Sequence, residues 1–422
     1  MKFLLSAIIF FISLQANAQK KKTMQQRNDN QNFLENILKA NPELKPILNL
    51  KEQYNVQIIY TKIDRDKNNF PYFTDYSFNV NKNNYFYPAS TVKMPVAFLA
   101  LEKMQELKKY DVNKTTAMIT DSNAAKQTLV YNHPLSENGV PNLEHYIKQI
   151  FLVSDNDAYN RLYEFLGQEE IQKRLKKKGF EDAIIRHRLQ VALTTEQNKA
   201  TNPIEFYDTT GKIIYTQTPQ YSNAVYPTFN AQFGKGYYKG NELINEPFDF
   251  STKNRIYLED LHQILRTILF PETVSSRHRF NINKEDEQFL LHWMSAYPNE
   301  SKYPNYDSTN YWDAYCKFML LGSEKTKPDS SIRIFNKVGD AYGFLTDIAY
   351  IVDFKNNVEF MLSATILCNN DGIFNDDTYD YDGIGFPFMK NLGKTIYQYE
   401  LGRKKPFTPD LTKFKFDYSQ LR

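Results

Sequence analysis

Tyr87-Pro88-Ala89-Ser90-Thr91-Val92-Lys93-Met94-Pro95-Val96-Ala97-Phe98-Leu99-Ala100-Leu101 is the stretch on which the reading of this chain turns. From Ser90 onward it is helix-compatible and mostly apolar, which predicts a buried helix beginning near Ser90. Pro95 fits such a helix if it lies in or just after the first turn. Residues three apart share a helix face, so the Ser90 hydroxyl and the Lys93 amine face each other. Serine is a poor nucleophile until a base takes its proton. A lysine serves as that base only when its ammonium is destabilised, by apolar burial or a neighbouring like charge. The apolar walls of this stretch supply the first condition. By itself the pattern is weak. Ser-x-x-Lys arises about once by chance in a chain of this length, and a capping serine with a snorkelling lysine reads the same way.

Two other constellations give it weight. Ser154-Asp155-Asn156 is a short polar corner between two helical patterns, Glu144 to Val153 and Asp157 to Leu166. Such a corner either caps a helix or projects side chains into a cleft. Lys337-Val338-Gly339 ends a predicted strand, Ile332 to Lys337. A lysine there holds an anionic group, and a glycine lets the backbone approach a ligand closely.

Around these motifs, strands come early and late. Tyr54 to Ile63 and Tyr72 to Val80 alternate as a hairpin pair. Ile332 to Lys337, Thr346 to Phe354 and Val358 to Leu367 follow near the other end, the last two joined by the turn Lys355-Asn356-Asn357. Asn32 to Ala40 and Phe388 to Leu401 read as terminal helices, and residues 101–205 as a largely helical block. The expected fold class is therefore α+β, with one antiparallel sheet flanked by the terminal helices plus a helical lobe. Ser90 should sit at the seam between sheet and lobe, where clefts form.

The three motifs, in this order, resemble the signature set of class A β-lactamases and penicillin-binding proteins: Ser-x-x-Lys, Ser-Asp-Asn and Lys-Thr-Gly. The chain is similar in this respect to the serine β-lactamase-like superfamily over roughly residues 31–402. That resemblance implies an exported serine hydrolase acting through an acyl-enzyme, with Ser90 as nucleophile and Lys93 as base or proton relay. Ser154 would protonate the leaving group, and Asn156 would hold Lys93 and the substrate amide. Lys337 would support Ser154 and attract a carboxylate. The backbone N–H groups of Ser90 and Asp340, the latter following Gly339, would form the oxyanion hole. The implied substrate is a small β-lactam-like molecule or a peptidoglycan-derived one. A D-alanyl-D-alanine peptidase or transpeptidase, an esterase and a non-catalytic penicillin-binding sensor are the alternatives.

The chain departs from the pattern at three places. Val338 stands where a Thr or Ser hydroxyl would bond a substrate carboxylate. The stretch Arg186 to Val191, where a Glu-x-x-x-Asn loop supplies the deacylating base in class A enzymes, holds no such glutamate; Glu196 and Glu205 lie further on. The segment between Asn156 and Lys337 is long, with aromatic-rich insertions near 206–250 and 303–331.

Composition limits the alternatives. The 422-residue chain carries a net charge of +3, with no long basic block, which argues against nucleic acid as a partner. Met1 to Ala18 reads as a signal peptide with an Ala16-Asn17-Ala18 cleavage site. A flexible tail follows at 19–30, the catalytic domain runs over 31–402, and a C-terminal tail occupies 403–422. The expected location is periplasmic or secreted, without stable membrane insertion, and the expected state is a monomer. Six histidines show no metal-ligand spacing, so no cofactor or metal is expected. Two cysteines, Cys316 and Cys368, do not make a disulfide framework.

Overall fold

The computed structural model describes residues 32–419. The expected signal peptide and the tail at 19–30 lie outside the described residues. The centre is a five-stranded antiparallel sheet. Its strands are β1 (Gln57–Arg65), β2 (Pro71–Phe78), β3 (Ile332–Ala341), β4 (Phe344–Asp353) and β5 (Val358–Leu367), in spatial order β3-β4-β5-β1-β2. Side chains alternate across a strand, and both faces of this sheet are covered. Ile58, Tyr60, Ile334, Val338 and Leu362 join Leu34, Leu38 and Met389 on one face. These last belong to helix α1 (32–39) and to the long C-terminal helix Phe386–Gly402. Ile59, Phe335, Ile348 and Met361 meet the helical lobe on the other face. With both faces buried, β4 reads as a nearly continuous apolar run rather than an alternating one.

The lobe contains α2 (Lys93–Leu107), α3 (Leu143–Val153), α4 (Asn156–Leu166) and α5 (Leu258–Leu269), with others. Asn142 caps α3 and Asp155 caps α4 through their side chains. The block 101–205 also contains strands. Ala117–Thr120 pairs with Ile204–Tyr207, which pairs with Ile213–Gln217. These strands are four or five residues long, too short for a period to show.

β3 runs four residues past Lys337, because a two-residue turn closes the β3–β4 hairpin. Tyr342 and Gly343 both take positive φ, 53° and 75°, as a tight hairpin turn requires. The insertion near 206–250 forms short strands whose rings, Phe233, Phe248 and Phe250, pack against Tyr342, Phe344 and Phe374. Residues 303–331 contain turns and no helix or regular strand. In the C-terminal segment, Phe414 packs on Phe335 and Tyr350. Cys316 and Cys368 are both free and buried. No helix among the described residues is long and apolar enough to cross a membrane.

Candidate active site

Ser90 lies in a single 3₁₀ turn, Ala89–Val92, and the α-helix begins only at Lys93. The expected α-helical start at Ser90 is thus displaced by one turn. The reason is local. Ala89 takes φ 45°, a left-handed conformation that costs an L-residue about 1–2 kcal/mol. The Thr91 backbone N–H and hydroxyl both donate to the Pro88 carbonyl, at 3.0 and 2.6 Å. In a 3₁₀ turn residues three apart are eclipsed, so Ser90 and Lys93 still share a side.

Lys93 is fully buried. Its Nζ donates to the Ser154 carbonyl, to Asn156 Oδ1 at 2.7 Å and, more weakly, to Ser154 Oγ at 3.3 Å. All three partners are neutral. Burial holds its pKa well below the ordinary lysine value, and the Lys337 cation pushes it the same way. Ser154 projects into the site because it ends α3 in the left-handed conformation, φ 58°. Lys337, 2% exposed, reaches across from β3 and donates to Ser154 Oγ at 2.7 Å and to the Val338 carbonyl at 2.8 Å. Burial lowers its pKa to about 8.

The bond to the Val338 carbonyl also orients the strand. β3 is the edge strand, and Val338 turns its peptide groups away from β4. Asp340, two residues on, repeats that orientation, so its N–H points off the sheet edge. Gly339 between them is a contact point. A Cβ there would lie 2.7 Å from the Pro88 carbonyl and 2.9 Å from the Ser90 nitrogen, so only glycine lets the strand approach the serine turn.

Ser90, Ser154, Asn156, Val338 and Asp340 line one cavity of about 720 Å³, with Lys93 and Lys337 buried beside them. The structure therefore gathers all eight residues singled out in the sequence. The insertion contributes a wall, Trp312, Tyr315 and Cys316. That wall is pinned to the sheet by the buried Asp347 carboxylate, which accepts from the Phe318 and Met319 N–H groups and from Asn336.

Glu196 and Glu205 do not serve this site. Glu196 pairs with Lys199 and Tyr221, Glu205 accepts from Tyr207, and neither lines the cavity. Gln190 is the neighbour that sequence reasoning missed. Asn156 Nδ2 donates to its Oε1 at 2.6 Å. Its signal was its place inside Arg186–Val191, where a carboxylate was sought and an amide stands. Among the described residues no group of three or more His, Cys, Asp or Glu side chains is placed to hold a metal ion.

Residues 40–224 match the model of a family described as Beta-lactamase2, a beta-lactamase enzyme family. The chain is similar to that family over less than half of its length. Solved structures titled as beta-lactamases and as PBP-A resemble the chain at low identity. A beta-lactamase from Sphaerobacter thermophilus is 12% identical, with a TM-score of 0.45 over 85% of this chain and 97% of that one. A class A beta-lactamase titled as the last common ancestor of Gram-negative bacteria is 11% identical, with a TM-score of 0.48 over 84% and 98%. PBP-A is 15% identical, with a TM-score of 0.45 over 84% and 94%. No curated protein matches the chain.

Proposed function

We propose that the chain is an exported serine hydrolase that opens β-lactam-like amides through an acyl-enzyme on Ser90. The observation that carries this reading is the Ser154 hydroxyl, clamped between two buried lysines at the mouth of the cavity that Ser90 lines. Lys93, whose pKa burial holds well below the ordinary lysine value, takes the proton of Ser90 as Oγ attacks the carbonyl carbon. The oxyanion gathers the Ser90 and Asp340 N–H groups, donors of a kind worth a few kcal/mol. Ser154 gives its proton to the departing nitrogen and is reprotonated from Lys93. The peptide segment Met1 to Ala18 supports export to the periplasm or beyond.

Deacylation is the slow half of the cycle in this reading. The three hydrogen-bond partners of Lys93 are neutral, and the group next to Asn156 is an amide, which cannot activate water as a base. This favours a second reading, a cell-wall D-alanyl-D-alanine peptidase that is trapped by penicillins. Intact mass after exposure to benzylpenicillin tests the acylation step common to both. The expected result is one covalent adduct per chain, absent in Ser90→Ala. An adduct that persists in Ser90→Ala removes the assignment. Rapid return to the free mass favours the lactamase over the peptidase.

A further inference from the structure

Gln190, which receives the Asn156 amide, is also part of the wall of a second cavity, of about 450 Å³. Tyr87, three residues before Ser90, and Tyr342, at the tip of the hairpin two residues past Asp340, line the same space. The second cavity therefore adjoins the first along the edge of β3. Its ionisable lining is cationic. Arg186 and Lys253 face it, and no Asp or Glu does. Neither cation has a carboxylate within ion-pair distance among the described residues. Lys253 lies over the Tyr342 ring, and Arg186 over the Tyr226 ring at 5.0 Å. Arg188, which also borders the space, is already paired with Glu164. Burial without a compensating anion pushes the Arg186 pKa down. The Ser90 cavity is mixed in charge, with Lys93 and Lys337 buried beside it. Glu43, Glu324, Asp340 and Asp382 line it, and its one lining cation, Lys390, is paired with Glu324.

The direction of the substrate follows from the proton route proposed above. The leaving group departs on the side of Ser154 and Lys337. The acyl group stays on Ser90 and extends the other way, past Asp340 toward Tyr342. We infer that the second cavity is the acyl-side subsite, and that Arg186 and Lys253 select substrates whose acyl portion carries a carboxylate. This rests on the acyl-enzyme reading, and the experiment separates the two.

Acylation rates are measured by intact mass with benzylpenicillin and with its α-carboxy derivative, which differ only by a carboxylate on the acyl side. The wild type is expected to acylate about tenfold faster or more with the carboxylated compound, the scale of one charge-assisted hydrogen bond. Lys253→Gln should bring the ratio toward one, and Lys253→Glu should invert it. The ratio is taken within each variant, so partial unfolding cancels. Equal rates in the wild type, or a preference unmoved by Lys253→Gln, overturn the inference and leave the acyl-enzyme reading standing. No adduct from either compound overturns both. Inorganic phosphate that slows both penicillins alike assigns the cations to a free anion, which also overturns the acyl-side assignment.

Discussion

Lys93 and Lys337 are both buried and both shifted downward in pKa, yet the proposed chemistry asks opposite things of them. Lys93 must be neutral to take a proton, a state present above its pKa. Lys337 must be charged to hold Ser154 and draw in an anion, a state lost as pH rises through about 8. Acylation is therefore expected to rise along an acid limb set by Lys93 and to fall through about pH 8. Lys337→Arg should move the falling limb upward, because a guanidinium stays charged. A pH–rate profile of adduct formation checks this, and an alkaline limb that ignores the substitution excludes Lys337 as its source. Val338 gives a second test. The residue is 1% exposed and borders the cavity, so a hydroxyl placed there tests whether a substrate carboxylate reaches this strand. Val338→Thr should raise acylation by penicillin about ten- to hundredfold, the worth of a bond to a carboxylate. No gain in the adduct rate would mean that the carboxylate does not lie against this strand. At this scale the sequence is informative because residue type and order mark out which side chains gather at one cavity. Ser90, Lys93, Ser154, Asn156 and Lys337 could be named before any coordinates. The positive φ of Ala89 could not, since alanine gives no sign of it.

At the scale of elements, legibility tracked length and periodicity. The ten-residue strands β4 and β5 announce themselves by apolar content. The strands at 117–120 and 213–217 are held by pairing to distant partners rather than by local pattern. The segment 186–193 is legible only as a missing glutamate, yet it has a definite job. His187 accepts the Asn254 N–H, and its other nitrogen meets the Arg188 carbonyl at 2.7 Å. Asn160 donates to the Leu189 carbonyl and accepts its N–H. These bonds present Gln190 to Asn156. Replacing that amide by a carboxylate puts a base beside Asn156, whose Nδ2 remains its donor. Gln190→Glu is expected to shorten the life of the acyl-enzyme at least tenfold, on the scale of general-base catalysis. Intact mass followed over time reads this directly. An adduct equally long-lived in the variant would show that something other than the amide limits hydrolysis.

The whole molecule depends on how the lobe is fastened to the sheet, and here sequence offered least, because the fastening residues lie far apart in the chain. His262 of α5 bridges β1 and β5. Its Nε2 meets Thr61 Oγ1 and its Nδ1 meets Ser363 Oγ, both at 2.7 Å. Thr61 gives its own proton to Asp75 at 2.6 Å, so Nε2 is the donor and Nδ1 accepts from Ser363. The neutral imidazole thus fits the clamp, and burial holds its pKa down to about 3. The neighbouring Arg266 opposes protonation and Asp75 favours it; the two are themselves paired. The sign follows from the depressed value. Above the unfolded histidine pKa of about 6.5 neither state carries the proton. Below it the unfolded chain binds one and the folded protein does not, so stability falls as pH drops toward 3. The loss is about 1.4 kcal/mol per pH unit, or about 2 kcal/mol between pH 6.5 and pH 5. Buried carboxylates such as Asp260, raised to about 6, act in the opposite direction, so the wild-type curve alone does not isolate the clamp. His262→Gln does. A glutamine amide donates to Thr61 and accepts from Ser363 without titrating. The variant should be less stable than the wild type at pH 7.5 through imperfect packing. It should then lose about 2 kcal/mol less than the wild type on going to pH 5, as read by denaturant unfolding at the two pH values. Parallel losses in both proteins would mean that His262 takes up its proton without releasing the lobe.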